Sequence, residues 1–98
     1  MEAIINKENE KLTVEVSGRL DTLTAPDLES KVVPQLTGIK ELVIDLKELE
    51  YISSAGLRVL MCFVKIMQEQ GEMKVINPNE VVMDVFSLTG FDSILNIE

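Results

Sequence analysis

The feature that most restricts the fold of this chain is a strand pattern that is soon followed by the start of a helix. Residues 41–46 contain the continuous apolar run Leu42-Val43-Ile44, which is typical of a strand that is covered on both faces. Ser53 and Ser54 follow after a short turn, and an apolar helical pattern begins at Ala55. The first N–H groups of a helix have no partner within it, and the helix dipole adds about half a positive charge there. Each serine can therefore cap the helix, or carry a phosphate that changes how a partner docks.

The N-terminal residues predict a β-hairpin. Apolar and polar residues alternate over residues 11–17, and this period of two marks a half-buried strand. We expect the first arm over residues 3–8 and the turn around residues 6–10. Gly18 is expected to end the second arm.

A short helix is predicted after the hairpin, from about Ala25 to about Val33. Thr24 is its expected N-cap, and Pro26 lies in its first turn, where a missing N–H does no harm. Pro34 should distort or end the regular part. The spacing of four residues predicts that its buried face consists of Leu28, Val32 and Leu36.

A longer and more apolar helix is predicted from about Ala55 to about Gln70, with Gly71 as its terminator. One face, which should cover the sheet, consists of Leu57, Leu60, Met61 and Val64. A second apolar sector consists of Val59, Cys62 and Ile66. A helix needs only one face to cover a sheet, so the second sector must contact either a neighbouring helix of the same chain or a partner protein.

The C-terminal third predicts a strand over residues 73–76 and a helix that opens at residues 77–80 and ends at Gly90. The inward residues of that helix should be Val81, Val82, Val85 and Phe86. An apolar tail should fold back on the body through Phe91, Ile94, Leu95 and Ile97. The element order is then ββαβαβα, and strand–helix–strand crossovers require parallel pairing. We expect one α/β domain over residues 1–98, with a four-to-five-stranded mixed sheet and helices packed mainly on one face.

Composition excludes several classes of function. The formal net charge is -8, and the 17 acidic residues are scattered, whereas a nucleic-acid interface needs clustered basic residues. The same charge disfavours anionic membranes, and no apolar run approaches the ~20 residues of a membrane span. No signal peptide is evident, so a cytoplasmic protein is expected. Cys62 is the only cysteine, and its apolar surroundings predict a buried small hydrophobe.

Catalysis is not expected. The chain has no histidine, which removes Ser-His-Asp and Cys-His mechanisms and the commonest metal ligand. Neither familiar phosphate-binding glycine motif occurs, and no cofactor is expected. Asp21 and Asp45 could act together as acid and base or bind Mg²⁺, although nothing in their spacing requires it.

The segment Ser53-Ser54-Ala55-Gly56-Leu57 resembles the signature of the STAS domain, specifically of the free-standing bacterial anti-sigma-factor antagonists. In that family a strand is followed by Asp-Ser-[Ser/Thr]-Gly-Leu at the start of a helix. Further segments resemble the family in the expected order, so the resemblance covers nearly the whole chain. They are residues 18–25, 43–46, 71–75 and 85–91.

The resemblance implies a partner switch. Members of this kind bind an anti-sigma factor, usually a GHKL-type serine kinase, and so release a sigma factor. The kinase ends the interaction by phosphorylating one serine, here Ser54, and a PP2C-type phosphatase restores it. Independently of the resemblance, the dispersed acidic charge predicts that the chain binds neither nucleic acid nor membrane, and the second apolar sector of the long helix allows a monomer or weak dimer. The implied partner-binding residues are Asp21, Thr22, Ser53, Ser54, Ala55, Gly56 and Arg58.

Several alternatives stay open. Ser53 replaces the family's usual Asp, and it could itself be the modified residue. Ser54 could be a plain N-cap, Asp21 a turn residue or cap, and Gly56 a close-packing position. Arg58 could be a solvated charge. The whole domain could serve as a STAS scaffold or adaptor in another complex, such as a stressosome-like or transport assembly.

Overall fold

The computed structural model describes residues 1–98 and contains five strands and three α-helices. The strands are β1 (Glu2–Glu8), β2 (Lys11–Leu20), β3 (Glu41–Asp45), β4 (Leu49–Ile52) and β5 (Glu72–Ile76). The helices are α1 (Ala25–Val32), α2 (Ser54–Gln68) and α3 (Glu80–Thr89). Two short 3₁₀ turns cover Val33–Gln35 and Phe91–Ser93. No helix is long and apolar enough to cross a membrane.

The sheet is mixed, as predicted. Its strand order is β1-β2-β3-β5, and β4 pairs with β2 outside that path. The pairing of β1 with β2 is antiparallel and every other pairing is parallel. The predicted hairpin is confirmed, and its turn is narrower than expected, since Glu8 pairs with Lys11. Asn9 adopts a positive φ of 57°, which suits a two-residue turn.

We expected strand β2 to end at Gly18, but it continues to Leu20. Gly18 has a φ of 81°, and the pairing register with β4 shifts between Gly18 and Arg19. Gly18 pairs with Leu49 and Arg19 with Tyr51, so the extra residue of this β-bulge is Glu50 in β4. Along its length, β2 pairs with β3 over residues 11–15 and with β4 over residues 18–20.

Strand β4 is the element that the sequence did not locate. We expected a turn there, and the structure has a four-residue strand with Leu49 and Ile52 buried. The sheet therefore has five strands, within the predicted number, and the order becomes ββαββαβα. A four-residue strand is at the short end of the usual range and gives little periodicity to read.

All three helices bury their apolar residues in one cluster with the inward side chains of the sheet, so they lie on one face, as predicted. The strand residues on that face include Leu12, Val14, Val16, Leu42, Ile44 and Val75. The other face of β2 carries Thr13, Glu15 and Ser17, of which none is buried.

The second apolar sector of α2 packs against α1, which confirms the neighbouring-helix alternative. Val59 is buried there. Cys62 is only half-buried, contrary to expectation, and shares a groove with Pro26 and Val33. Partial burial raises the pKa of the Cys62 thiol.

Most of the predicted helix details are confirmed. α1 gives way to a 3₁₀ turn that contains Pro34, and its predicted inner residues are all buried. Gly90 ends α3 in the left-handed conformation, with φ of 80°. The prediction that Val81 faces inward is wrong, since Val81 is 53% exposed. In the tail Leu95 is buried, whereas Ile94 is exposed.

Candidate partner-binding site

The parallel pairing of β2 with β4 brings two distant segments to one edge of the sheet. Leu20 pairs with Ile52, and each is the last residue of its strand. The chain therefore leaves both strands side by side, with Asp21 following one and Ser53 following the other. The Ser53 N–H donates a hydrogen bond of 2.9 Å to the Leu20 carbonyl oxygen, which fixes this contact.

The two serines at the start of α2 differ in exposure. Ser54 is the first residue of the helix and is exposed. Ser53 takes the N-cap position in an extended conformation, and its carbonyl accepts from the Leu57 N–H at 3.0 Å. The Ser53 side chain does not cap the helix, because its Oγ is buried and has no hydrogen-bond partner. Of the two hydroxyl groups, only that of Ser54 lies on an exposed residue.

We predict that Ser53→Ala leaves the free energy of unfolding unchanged or raises it by up to about 1 kcal/mol. A buried hydroxyl without a partner is destabilising, and its removal leaves no other group unsatisfied. Asn79→Ala is the comparison, because the Asn79 side chain caps α3 by accepting from the Val82 N–H at 2.8 Å and also donates to the Leu49 carbonyl oxygen at 2.9 Å. It should lose about 1 to 2 kcal/mol, since both bonds are removed. Urea unfolding of both variants gives the comparison, and an equal loss in Ser53→Ala would mean that Ser53 is a cap.

Asp21 organises the turn between β2 and α1. Its Oδ1 accepts from the N–H groups of Leu23 at 3.0 Å and Thr24 at 3.1 Å, and from the Thr24 hydroxyl at 3.2 Å. Thr24 occupies the N-cap position of α1, as predicted, but its side chain makes no capping bond. Its Oγ1 instead accepts from the Asp21 N–H, and its one hydroxyl hydrogen is shared between the Arg19 carbonyl oxygen and Asp21 Oδ1. Within the chain, Asp21 therefore makes the contacts of a turn residue, which was one of the alternatives for it.

Hydrogen bonds set the charge state of Asp21. The Thr24 N–H contributes most to lowering the pKa of this carboxyl group, with help from the Leu23 N–H and the nearby Arg19 charge. Desolvation acts in the opposite direction and is outweighed. The carboxylate is therefore ionised at neutral pH, and the turn is held by a charged acceptor.

The lowered pKa predicts a pH-dependent stability that Asp21→Asn removes. The folded-state pKa lies below the unfolded value, so the stabilisation is present above the unfolded pKa of about 3.9 and is lost as the pH falls through the folded pKa. The wild type should be more stable than Asp21→Asn at pH 7, and the difference should vanish at the lowest pH at which both fold. Thermal unfolding between pH 7 and pH 3 measures it, and a difference independent of pH would contradict the assignment.

The other predicted binding residues fall into two groups. Thr22 and Arg58 are exposed, and Ala55 is half-buried, so their side chains are accessible to a partner. Gly56 is buried, and a Cβ there would lie 2.7 Å from Ile52 Cγ1 and 2.9 Å from Leu20 Cγ. Gly56 therefore brings the first turn of α2 close to the ends of β2 and β4, as its close-packing alternative requires.

Three residues at this edge were missed by the sequence analysis. Leu23 lies in the Asp21 turn with its side chain 88% exposed. Arg19 and Tyr51 are paired across β2 and β4, and the guanidinium carbon lies 4.4 Å from the centre of the ring. Leu23 could have been found from the sequence, because it is a leucine in an otherwise polar turn. The pairing of Arg19 with Tyr51 could not, because it depends on β4, which the sequence did not reveal.

Asp45, the second carboxylate considered for catalysis, has its own local contacts. Its Oδ1 accepts from the Lys47 N–H at 3.0 Å and from the Asn77 amide at 3.2 Å. No group of three or more Asp, Glu, His or Cys side chains is arranged to hold a metal ion.

Comparison with known proteins assigns this arrangement to a family. The model of the STAS domain matches residues 2–98, which includes both segments at the sheet edge. The chain is a member of the STAS family. A curated relative, the anti-sigma-B factor antagonist of Bacillus subtilis strain 168, is 34% identical over 93% of this chain and 85% of its own length.

Solved structures have the same fold as this STAS domain. An anti-sigma factor antagonist from Mycobacterium paratuberculosis matches 98% of this chain and 83% of its own, with a TM-score of 0.88 and 26% identity. The antagonist SpoIIAA in its unphosphorylated form matches 99% of this chain and 88% of its own, with a TM-score of 0.86 and 15% identity. The phosphorylated form of the Bacillus protein SpoIIAA matches 99% of this chain and 91% of its own, with a TM-score of 0.76 and 14% identity.

Proposed function

We propose that this STAS domain is an anti-sigma-factor antagonist, which binds a serine-kinase anti-sigma factor and is switched off by phosphorylation of Ser54. The observation that carries the proposal is the exposed Ser54 at the first position of α2, beside the Asp21 turn. The relation to the Bacillus subtilis antagonist supports the same role. A binding module of this kind needs no catalytic group of its own.

The choice of Ser54 over Ser53 rests on access. A kinase must bring the γ-phosphate of ATP into line with the serine oxygen, which requires that oxygen to be reachable. The Ser53 Oγ is buried, whereas Ser54 is exposed. Ala55 follows, so no third hydroxyl group competes at the helix start.

The partner surface that we propose surrounds Ser54 at the edge of the sheet. It consists of Asp21, Thr22, Ser53, Ser54, Ala55 and Arg58, with Gly56 beneath them as the residue that seats the helix. The partner is a GHKL-type serine kinase, and a PP2C-type phosphatase reverses the modification. Both act in the bacterial cytoplasm, and we place this protein there as well.

Affinity capture from a lysate of the source organism tests the proposal. The baits are the wild type, Ser54→Ala, Ser54→Asp and, as a matched control, Ser53→Ala. The wild type, Ser54→Ala and Ser53→Ala should capture one GHKL-type kinase, and Ser54→Asp should not. Incubation of the purified kinase with ATP should then phosphorylate the wild type and Ser53→Ala but not Ser54→Ala.

Three results would contradict the proposal. Capture of the same proteins by all four baits would mean that Ser54 is not a switch. Capture of only scaffold or transport components would favour a STAS adaptor in another complex. Phosphate found on Ser53 by mass spectrometry would move the switch to the neighbouring residue.

A further inference from the structure

The most exposed large apolar side chain of the molecule lies beside the proposed switch. Leu23 is 88% exposed and belongs to the turn that follows β2. The start of α2 lies against the same strand end, since the Ser53 N–H bonds to the Leu20 carbonyl oxygen. A partner that covers Ser54 therefore has Leu23 within the adjoining surface.

The backbone around Leu23 is held in one conformation. The Leu23 N–H donates to Asp21 Oδ1 at 3.0 Å, and the Ala25 N–H closes the turn by donating to the Asp21 carbonyl oxygen at 2.8 Å. A side chain presented by an ordered turn loses less conformational freedom on binding than one on a mobile loop. Anchors of protein interfaces are side chains of this kind, which fill a pocket on the partner.

We propose that Leu23 is an apolar anchor of this interface, which inserts into an apolar pocket of the anti-sigma factor, and that Asp21 is a positioning residue that holds it there. The inference rests on the proposed function for the identity of the partner. In this inference the Asp21 carboxylate holds the turn in place through its contacts with Leu23 and Thr24. This role differs from a direct charge contact with the partner.

Affinities for the purified GHKL-type kinase that phosphorylates this chain test the anchor. Burial of a leucine side chain corresponds to roughly 10- to 100-fold in affinity, so Leu23→Ala should raise Kd by about 20-fold. Leu88→Ala is the matched control, because Leu88 is 87% exposed but lies near the end of α3. It should change Kd by less than about twofold, since α3 contributes no residue to the proposed partner surface.

A double-mutant cycle tests the positioning role. If Asp21 acts through Leu23, Asp21→Ala should weaken binding in the wild type but add nothing in the Leu23→Ala background. Asp21→Asn keeps an acceptor oxygen at the same position and should restore most of the affinity. Additive losses, or an Asn variant as weak as the Ala variant, would show that Asp21 contacts the partner directly.

The outcomes separate this inference from the proposed function. If Leu23→Ala binds as tightly as Leu88→Ala while Ser54→Asp still fails to bind, the anchor is wrong and the switch stands. If Leu23→Ala loses affinity and Ser54→Asp does not, the switch is wrong and the anchor stands. If Leu23→Ala instead abolishes self-association in sedimentation velocity and leaves kinase affinity unchanged, the occupant is a second copy of this chain and the inference is overturned.

Discussion

Phosphate on Ser54 is expected to weaken binding of the kinase-type anti-sigma factor by about 100-fold or more without changing the fold. The modification adds about -1.5 to -2 charges at pH 7 to an exposed position on a chain whose net charge is already -8. Inside the domain, the free N–H groups of the first turn of α2 can stabilise this charge. At the docked interface, the same charge loses its water and meets a surface shaped for a hydroxyl group.

The size of the effect follows from desolvation. A micromolar complex corresponds to about 8 kcal/mol, and burial of an unpaired charge costs several kcal/mol. A loss of about 3 kcal/mol already corresponds to more than 100-fold in Kd.

Two measurements together check this prediction. Isothermal titration calorimetry compares the kinase affinity of the phosphorylated and unmodified chains, with Ser53→Ala phosphorylated in parallel as the control. NMR chemical shifts of the backbone then report whether the fold has changed. Large shifts throughout the sheet would show that the switch acts by refolding the domain, contrary to the mechanism proposed here.

Gly71→Ala is expected to destabilise the protein by about 3 kcal/mol, which lowers Tm by about 15 °C for a domain of this size. A Cβ at this position would overlap the Lys40 carbonyl oxygen and would lie 2.6 Å from the carbonyl carbon. Backbone atoms cannot rotate away as a side chain can, so the turn after α2 or the segment before β3 must move. The Glu72 N–H donates to the same carbonyl oxygen at 2.9 Å, and that bond would be strained as well.

The comparison with Gly38→Ala separates steric overlap from backbone strain. Gly38 has a φ of 79° and nothing within 4 Å of an added Cβ. Its replacement should cost only the left-handed conformation, about 1 kcal/mol. Thermal and urea unfolding measure both variants, and a loss in Gly71→Ala no larger than that in Gly38→Ala would contradict the overlap.

Gly71 also shows where sequence reasoning found the right residue for the wrong reason. We expected it to terminate α2, but the helix ends at Gln68, and Gly71 lacks the positive φ of a glycine cap. The structure instead requires glycine because two chain segments approach closely. The Gln70 side chain joins the same segments by donating to the carbonyl oxygens of Leu36 and Ile39. Contacts of this kind leave no local pattern.

The candidate site was predicted only in part, because some of its features also depend on contacts between distant segments. The helix start and the exposed Ser54 follow from the local pattern, and the resemblance to the family placed Asp21 beside it. The buried Oγ of Ser53 and the pairing of Arg19 with Tyr51 did not follow, because both depend on β4.

The sequence by itself determined the elements whose signals are local. These are the alternation in β2, the helix disruption at Pro34, the apolar faces of α2 and the left-handed Gly90, all of which depend on the conformational preferences of neighbouring residues. Only the tertiary structure decided that β2 continues past Gly18 to pair with β4, which serine hydroxyl is buried and why position 71 must lack a side chain. Pairing register, exposure and close approach are set by residues far apart in the sequence, so no short stretch of the chain contains them.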